Sequence, residues 1–92
     1  MIDIDVTASA TAPGWVCEVR VRDHGTGTNH RVSLTSGDLA RLAPGAIDPE
    51  DLVRRSFEFL LERESQHSIL ASFELTDIGR YFPEYEREIR GA

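Results

Sequence analysis

Apolar and polar residues alternate from the first positions of the chain. Ile2, Ile4 and Val6 are interleaved with Asp3, Asp5 and Thr7. A period of two with one polar face predicts a half-buried strand near residues 2–7. Ala8 to Gly14 is a run of small residues that closes on Pro13-Gly14, a turn signal. The clearest alternation spans residues 15–24. Trp15, Cys17, Val19 and Val21 share one face, and Val16, Glu18, Arg20 and Arg22 share the other. A third strand is predicted near 29–35, with Val32 and Leu34 on one side and Arg31 and Ser33 on the other. Pairing the second and third strands antiparallel, with Val21 opposite Val32 and Val19 opposite Leu34, makes the apolar faces coincide. That register leaves Gly25-Thr26-Gly27-Thr28 at the tip, where glycine supplies the positive φ of a tight hairpin.

Beyond residue 35 the spacing of apolar positions changes to three and four. Thr35-Ser36-Gly37-Asp38 supplies a cap and a first-turn acid for a helix near 36–43, which Pro44-Gly45 ends. Ala46 and Ile47 lead into Asp48-Pro49-Glu50-Asp51, in which Asp caps, Pro takes the first helical position and acids meet the positive end of the dipole. The main helix is predicted over 49–64. Its apolar residues Leu52, Val53, Phe57, Phe59, Leu60 and Leu61 cover roughly 200°, wider than packing on one sheet requires. Residues 63–68 are polar and read as a loop. Ile69, Leu70, Phe73, Leu75, Ile78, Tyr81, Phe82, Tyr85 and Ile89 then predict helix, kink, helix over 69–89. The expected architecture is a single small α+β domain over 1–92. Three antiparallel strands present one apolar face, and the C-terminal helices near 36–43, 49–64 and 69–89 cover it.

Composition narrows the function. Ninety-two residues suit one domain, and 40% hydrophobic residues can build a core. A formal net charge of −6 argues against nucleic acid and against an anionic membrane surface, because both reward cationic surfaces. No apolar run approaches the roughly 18 residues of a membrane span. The N-terminus MIDIDVTASA is acidic and alternating, unlike a secretory leader, so a cytoplasmic location is expected. The one cysteine, Cys17, excludes an intramolecular disulfide and zinc sites of the CxxC type.

Candidate chemistry concentrates at the second turn, RVRDHGTGTNHRV. A phosphate-binding glycine loop needs a helix N-terminus after it, whereas a strand follows here. In the register above Asp23 faces His30, while His24 points to the other face. Asp23, His24 and His30 are thus candidate metal ligands, with two converging where three or four are needed. A hydrogen bond between Asp23 and His30 at the hairpin mouth is the simpler expectation. Cys17 shares the apolar face with Trp15 and Val19, which predicts a buried, inert thiol.

The same register sets Arg22 opposite Arg31, a repulsive cross-strand pair. Arg20, Arg22 and Arg31 therefore form a candidate basic patch for an anion or an acidic partner, and Arg22→Glu is expected to raise stability. RNA is the weaker ligand for it, since no aromatic residue interleaves with the arginines. Tyr81-Phe82-Pro83-Glu84-Tyr85 holds more aromatics than one helix side needs. Phe59 with Tyr81 or Tyr85 forms the candidate interface of a homodimer or with another protein. No catalytic constellation stands out. The leading expectation is a small non-enzymatic module, without cofactor, that binds a protein partner or regulates one. The alternatives are a minor enzyme or metal-dependent site at the hairpin tip, and weak RNA binding through the arginines.

Overall fold

The computed structural model of the chain describes residues 2–44 and 48–91. Three long strands, β1 (Ile2–Thr11), β2 (Gly14–Asp23) and β3 (Thr26–Thr35), are followed by α1 (Ser36–Leu42) and α2 (Pro49–Leu61). A short strand β4 (Ser72–Glu74) and two short helices, α3 (Ile78–Tyr81) and α4 (Tyr85–Gly91), complete the chain. The α+β class is as expected, but the sheet is not three-stranded and antiparallel. It has four strands in the order β1-β2-β3-β4, and β4 pairs with β3 in parallel. The parallel pair is possible because α1 and α2 carry the chain back across the sheet between its two strands. The segment expected to be helical from residue 69 instead follows a 3₁₀ turn (Gln66–Ser68) and begins extended, leading into the edge strand β4.

The strand faces follow the alternation. Cys17, Val19, Val21, Val32 and Leu34 are buried, with Val6 from β1. Glu18, Arg20, Arg22 and Arg31 are exposed on the other face. The hairpin register differs from the expected one by four residues. Cys17 faces Val32, Val19 faces His30, Val21 faces Thr28 and Asp23 faces Thr26. Only His24 and Gly25 remain in the turn, and both have positive φ (52° and 80°), the requirement of a two-residue type I′ connection. The tighter turn lets all ten residues of each strand pair. Gly14, read as part of a turn, is also needed for close approach: a Cβ there would collide with the backbone of Leu34 and Thr35.

Both helix starts match their signals. Thr35 and Asp38 form a reciprocal capping box, and the Asp48 carboxylate accepts from Asp51 N–H at 2.8 Å with Pro49 in the first turn. The Pro44-Gly45 stop and the Ala46-Ile47 link fall partly on residues 45–47, outside the described residues, as does Ala92. The wide apolar arc of α2 is used within the chain. Phe57 points to the sheet, against His30 (5.3 Å between centroids) and Phe73 (6.1 Å). Phe59 points to the C-terminal segment, against Tyr85 (5.2 Å) and Phe82 (5.9 Å). The helix is thus enclosed between the sheet and the tail.

Candidate functional site

The corrected register redistributes the residues singled out at the hairpin. Arg31 lies opposite Glu18, and its Nε donates to the Glu18 carboxylate at 2.8 Å. Arg22 lies opposite Gly27 on one side and Asp3 on the other, and donates to Asp5 at 2.9 Å. The repulsive Arg22–Arg31 pair does not exist. Arg20 faces Asn29 and Asp5. The expected sign of Arg22→Glu therefore reverses. It should place a third acid beside Asp3 and Asp5 and lower stability. The exposed position limits the loss to about 1 kcal/mol. A urea midpoint at or above that of the unsubstituted chain would contradict the Asp5–Arg22 pairing.

The expected Asp23–His30 hydrogen bond is also absent. His24 Nε2 lies 3.3 Å from Asp23, at the exposed tip. His30 is buried under the sheet, where its Nδ1 lies 2.8 Å from the Leu70 carbonyl oxygen. A carbonyl can only accept, so Nδ1 carries the proton. Nε2 shares a hydrogen bond with the Thr28 hydroxyl at 2.9 Å. The buried amide of Gln66 spans the same region, with Nε2 at 3.3 Å from the Thr26 carbonyl oxygen and 3.4 Å from Thr28 Oγ1. These contacts tie the chain after α2 to the β2–β3 hairpin. Among the described residues no three His, Cys, Asp or Glu side chains converge in a way that could hold a metal ion. None of the helices among them is long and apolar enough to cross a membrane.

The aromatic candidates separate. Phe59 and Tyr85 are core residues, at 6% and 1% exposure, so neither is available as a surface anchor. The Tyr85 hydroxyl shares a 2.7 Å hydrogen bond with the buried Ser56 hydroxyl, which itself donates to the Leu52 carbonyl at 2.8 Å. Tyr81 is the exception at 70% exposure.

Tyr81 stands at the mouth of an apolar groove that sequence reasoning missed. The groove forms where α2 ends and the chain turns into β4 and then α3. Leu60, Ile69 and Ile78 are buried beneath it, Phe73 and Phe82 are half-buried along it, and Leu70 faces Tyr81's side of the molecule at 54% exposure. Its volume is about 380 Å³. Leu70 is held outward by its backbone. The Leu70 carbonyl accepts from His30, and the next carbonyl, Ala71, accepts from Arg31 N–H at 2.7 Å. Two consecutive anchored carbonyls fix which apolar side chain turns in (Ile69) and which turns out (Leu70). The polar lining consists of Glu64, Ser68 and Asp77. Asp77 accepts from Glu74 N–H at 3.2 Å and lies 4.0 Å from the Arg80 guanidinium.

Behind the groove, Arg63 connects the end of α2 to the tail. Its guanidinium lies over the Phe59 ring at 3.6 Å and donates to Glu84 and Glu88 at 3.1 Å each. The Glu84 carboxyl is held below its ordinary range by its own backbone N–H and by Arg63. The polar run containing Arg63 reads as a loop in sequence, because its acidic partners lie some twenty residues on. The groove thus combines an apolar lining with two carboxylates. Comparison with protein-family models, with curated proteins and with solved structures finds no match.

Proposed function

We propose that the protein is a small non-enzymatic module that binds another protein through the groove flanked by Leu70 and Tyr81. One observation carries this reading. Two large apolar side chains, Leu70 and Tyr81, stand out at the mouth of an apolar cavity, and the backbone that carries Leu70 is itself anchored to the sheet. Scattered apolar side chains on a surface are ordinary, whereas a cluster around a concavity marks a contact surface. Tyrosine at such a place supplies a large, stiff contact with a polar end. The arginines support a binding role less well, since Arg22 and Arg31 are engaged with Asp5 and Glu18.

The test compares the unsubstituted protein with a Leu70→Ser/Tyr81→Ser variant, both immobilised and exposed to extract of the native host. Both side chains point outward, so the variant should keep its circular dichroism spectrum and its melting temperature. A protein retained by the first and lost from the second is the expected result. A protein retained equally by both would place the binding surface elsewhere. The homodimer expected through Phe59 loses its basis, because that ring is enclosed by Phe82, Tyr85 and Arg63. Sedimentation of the two proteins at micromolar concentration reports whether a second copy occupies the groove.

A further inference from the structure

We infer that the occupant of the groove is a basic amphipathic helix of another protein, with apolar side chains in the cavity and Lys or Arg against Glu64 and Asp77. The inference rests on the binding-module reading and adds the chemistry of the partner.

Charge complementarity is the first argument. The residues lining the groove include two carboxylates and no Lys, Arg or His. Glu64 is half-buried, and among the described residues its side chain takes part in no hydrogen bond or ion pair. Asp77 has only a 4.0 Å approach from Arg80, whose side chain is 83% exposed and free to swing away. A carboxylate at the edge of an apolar surface is poorly solvated once a partner covers it, unless that partner brings a cation. An acidic or neutral apolar segment would leave Glu64 covered and unpaired. The charge of the whole chain, −6, acts in the same direction at longer range by steering cationic segments toward it.

The form of the occupant follows from the walls. A partner strand would need a free sheet edge beside the groove. The edge there is β4, only three residues long, and the Glu74 N–H is already bound to Asp77. Little ladder is left to add to. The groove lies instead between the end of α2, the Ile69–Leu70 segment and α3, with apolar floor and walls along its length. That shape suits the apolar stripe of a helix, read as anchors at i, i+3 and i+4. The polar flanks of the same helix would carry the cations toward Glu64 and Asp77.

The experiment uses the whole chain and two labelled peptides of about 15–18 residues, long enough to form a helix on binding. Both carry leucines at i, i+3, i+4 and i+7. One has lysines at the remaining positions and the other has glutamates. Fluorescence anisotropy reads their affinities. The lysine peptide should bind, and the glutamate peptide should bind at least about tenfold more weakly. Glu64→Gln/Asp77→Asn should weaken the lysine peptide by about tenfold, and Glu64→Gln alone by about threefold. Asn keeps the oxygen that accepts from Glu74 N–H, and Gln at 64 disturbs no hydrogen bond among the described residues. Asp3→Asn/Glu58→Gln changes the net charge equally at exposed positions that do not line the groove, and should leave affinity within about twofold. An equal loss in that control would overturn the inference, since attraction would then be unspecific. Equal binding of both peptides, abolished by Leu70→Ser/Tyr81→Ser, would overturn the basic partner while the groove stands as a binding surface. No binding of either peptide, with a partner still captured from extract through Leu70 and Tyr81, would overturn the helical occupant alone. A groove filled by a second copy, seen as a dimer mass lost in the same double variant, would overturn it as well.

Discussion

Phe57→Ala is expected to lower stability by about 3–5 kcal/mol, the usual loss for a fully enclosed aromatic residue in a core. Phe57 has no exposed surface and sits between α2 and the sheet, against the rings of His30 and Phe73. Alanine there leaves a cavity under β3 and β4 that neither neighbour can fill. His30 is held in place by the Leu70 carbonyl and Thr28, and Phe73 by the pairing of β4. Small domains have a total stability of about 5–15 kcal/mol, so the loss removes a substantial share of it. Urea denaturation is the measurement. The midpoint should fall by about a fifth or more, at an unchanged slope. A loss below about 1.5 kcal/mol would mean that the sheet and helix close over the gap, contrary to the close packing of interiors.

The second large effect is loss of stability at alkaline pH. Burial pushes the Cys17 thiol from 9.0 up to about 11, with the nearby charges of Glu50 and Glu18 acting in the same direction. Burial pushes the Tyr85 phenol from 10.0 up to about 12, and the hydrogen bond with Ser56 offsets only part of this. Both groups are neutral in the folded chain at pH values where the unfolded chain ionises. The unfolded state therefore binds fewer protons, and stability falls as pH rises. The contribution is complete below about pH 9, begins to fail as the unfolded thiol ionises and is lost as pH passes through the folded values. Displacements of this size correspond to roughly 2–3 kcal/mol for each group. The urea midpoint should thus be level near neutrality and drop steeply above about pH 9. Cys17→Ala and Tyr85→Phe should each flatten part of that drop, whatever they do to the level at neutral pH. The same burial makes native Cys17 react with a thiol reagent far more slowly than in denaturant. A midpoint that stays flat through the alkaline range, or a fast native thiol, would contradict the enclosed positions of these two side chains.

Several features of this protein are local, and the chain states them outright. Alternation placed Cys17, Val19, Val21, Val32 and Leu34 on an inner face, and all five are buried. The caps at Thr35 and Asp48 mark both main helix starts, because a cap joins residues three apart. The width of the apolar arc on α2 announced that two surfaces would cover it. What tertiary structure decided was how these pieces meet. A shift of four along β3 leaves every side chain on the same face, so alternation has no means of choosing between the two registers. The choice came from the two-residue turn at His24-Gly25 and from partners for a buried His30, one of which lies 40 residues away. The three residues of β4 are too few to show a period, and they extend only because β3 offers an unpaired edge and Phe73 can pack on Phe57. The groove depends on the same long-range bonds. Ile69 and Leu70 are equally apolar, and only the anchoring of the Leu70 and Ala71 carbonyls to His30 and Arg31 turns one inward and leaves the other for a partner.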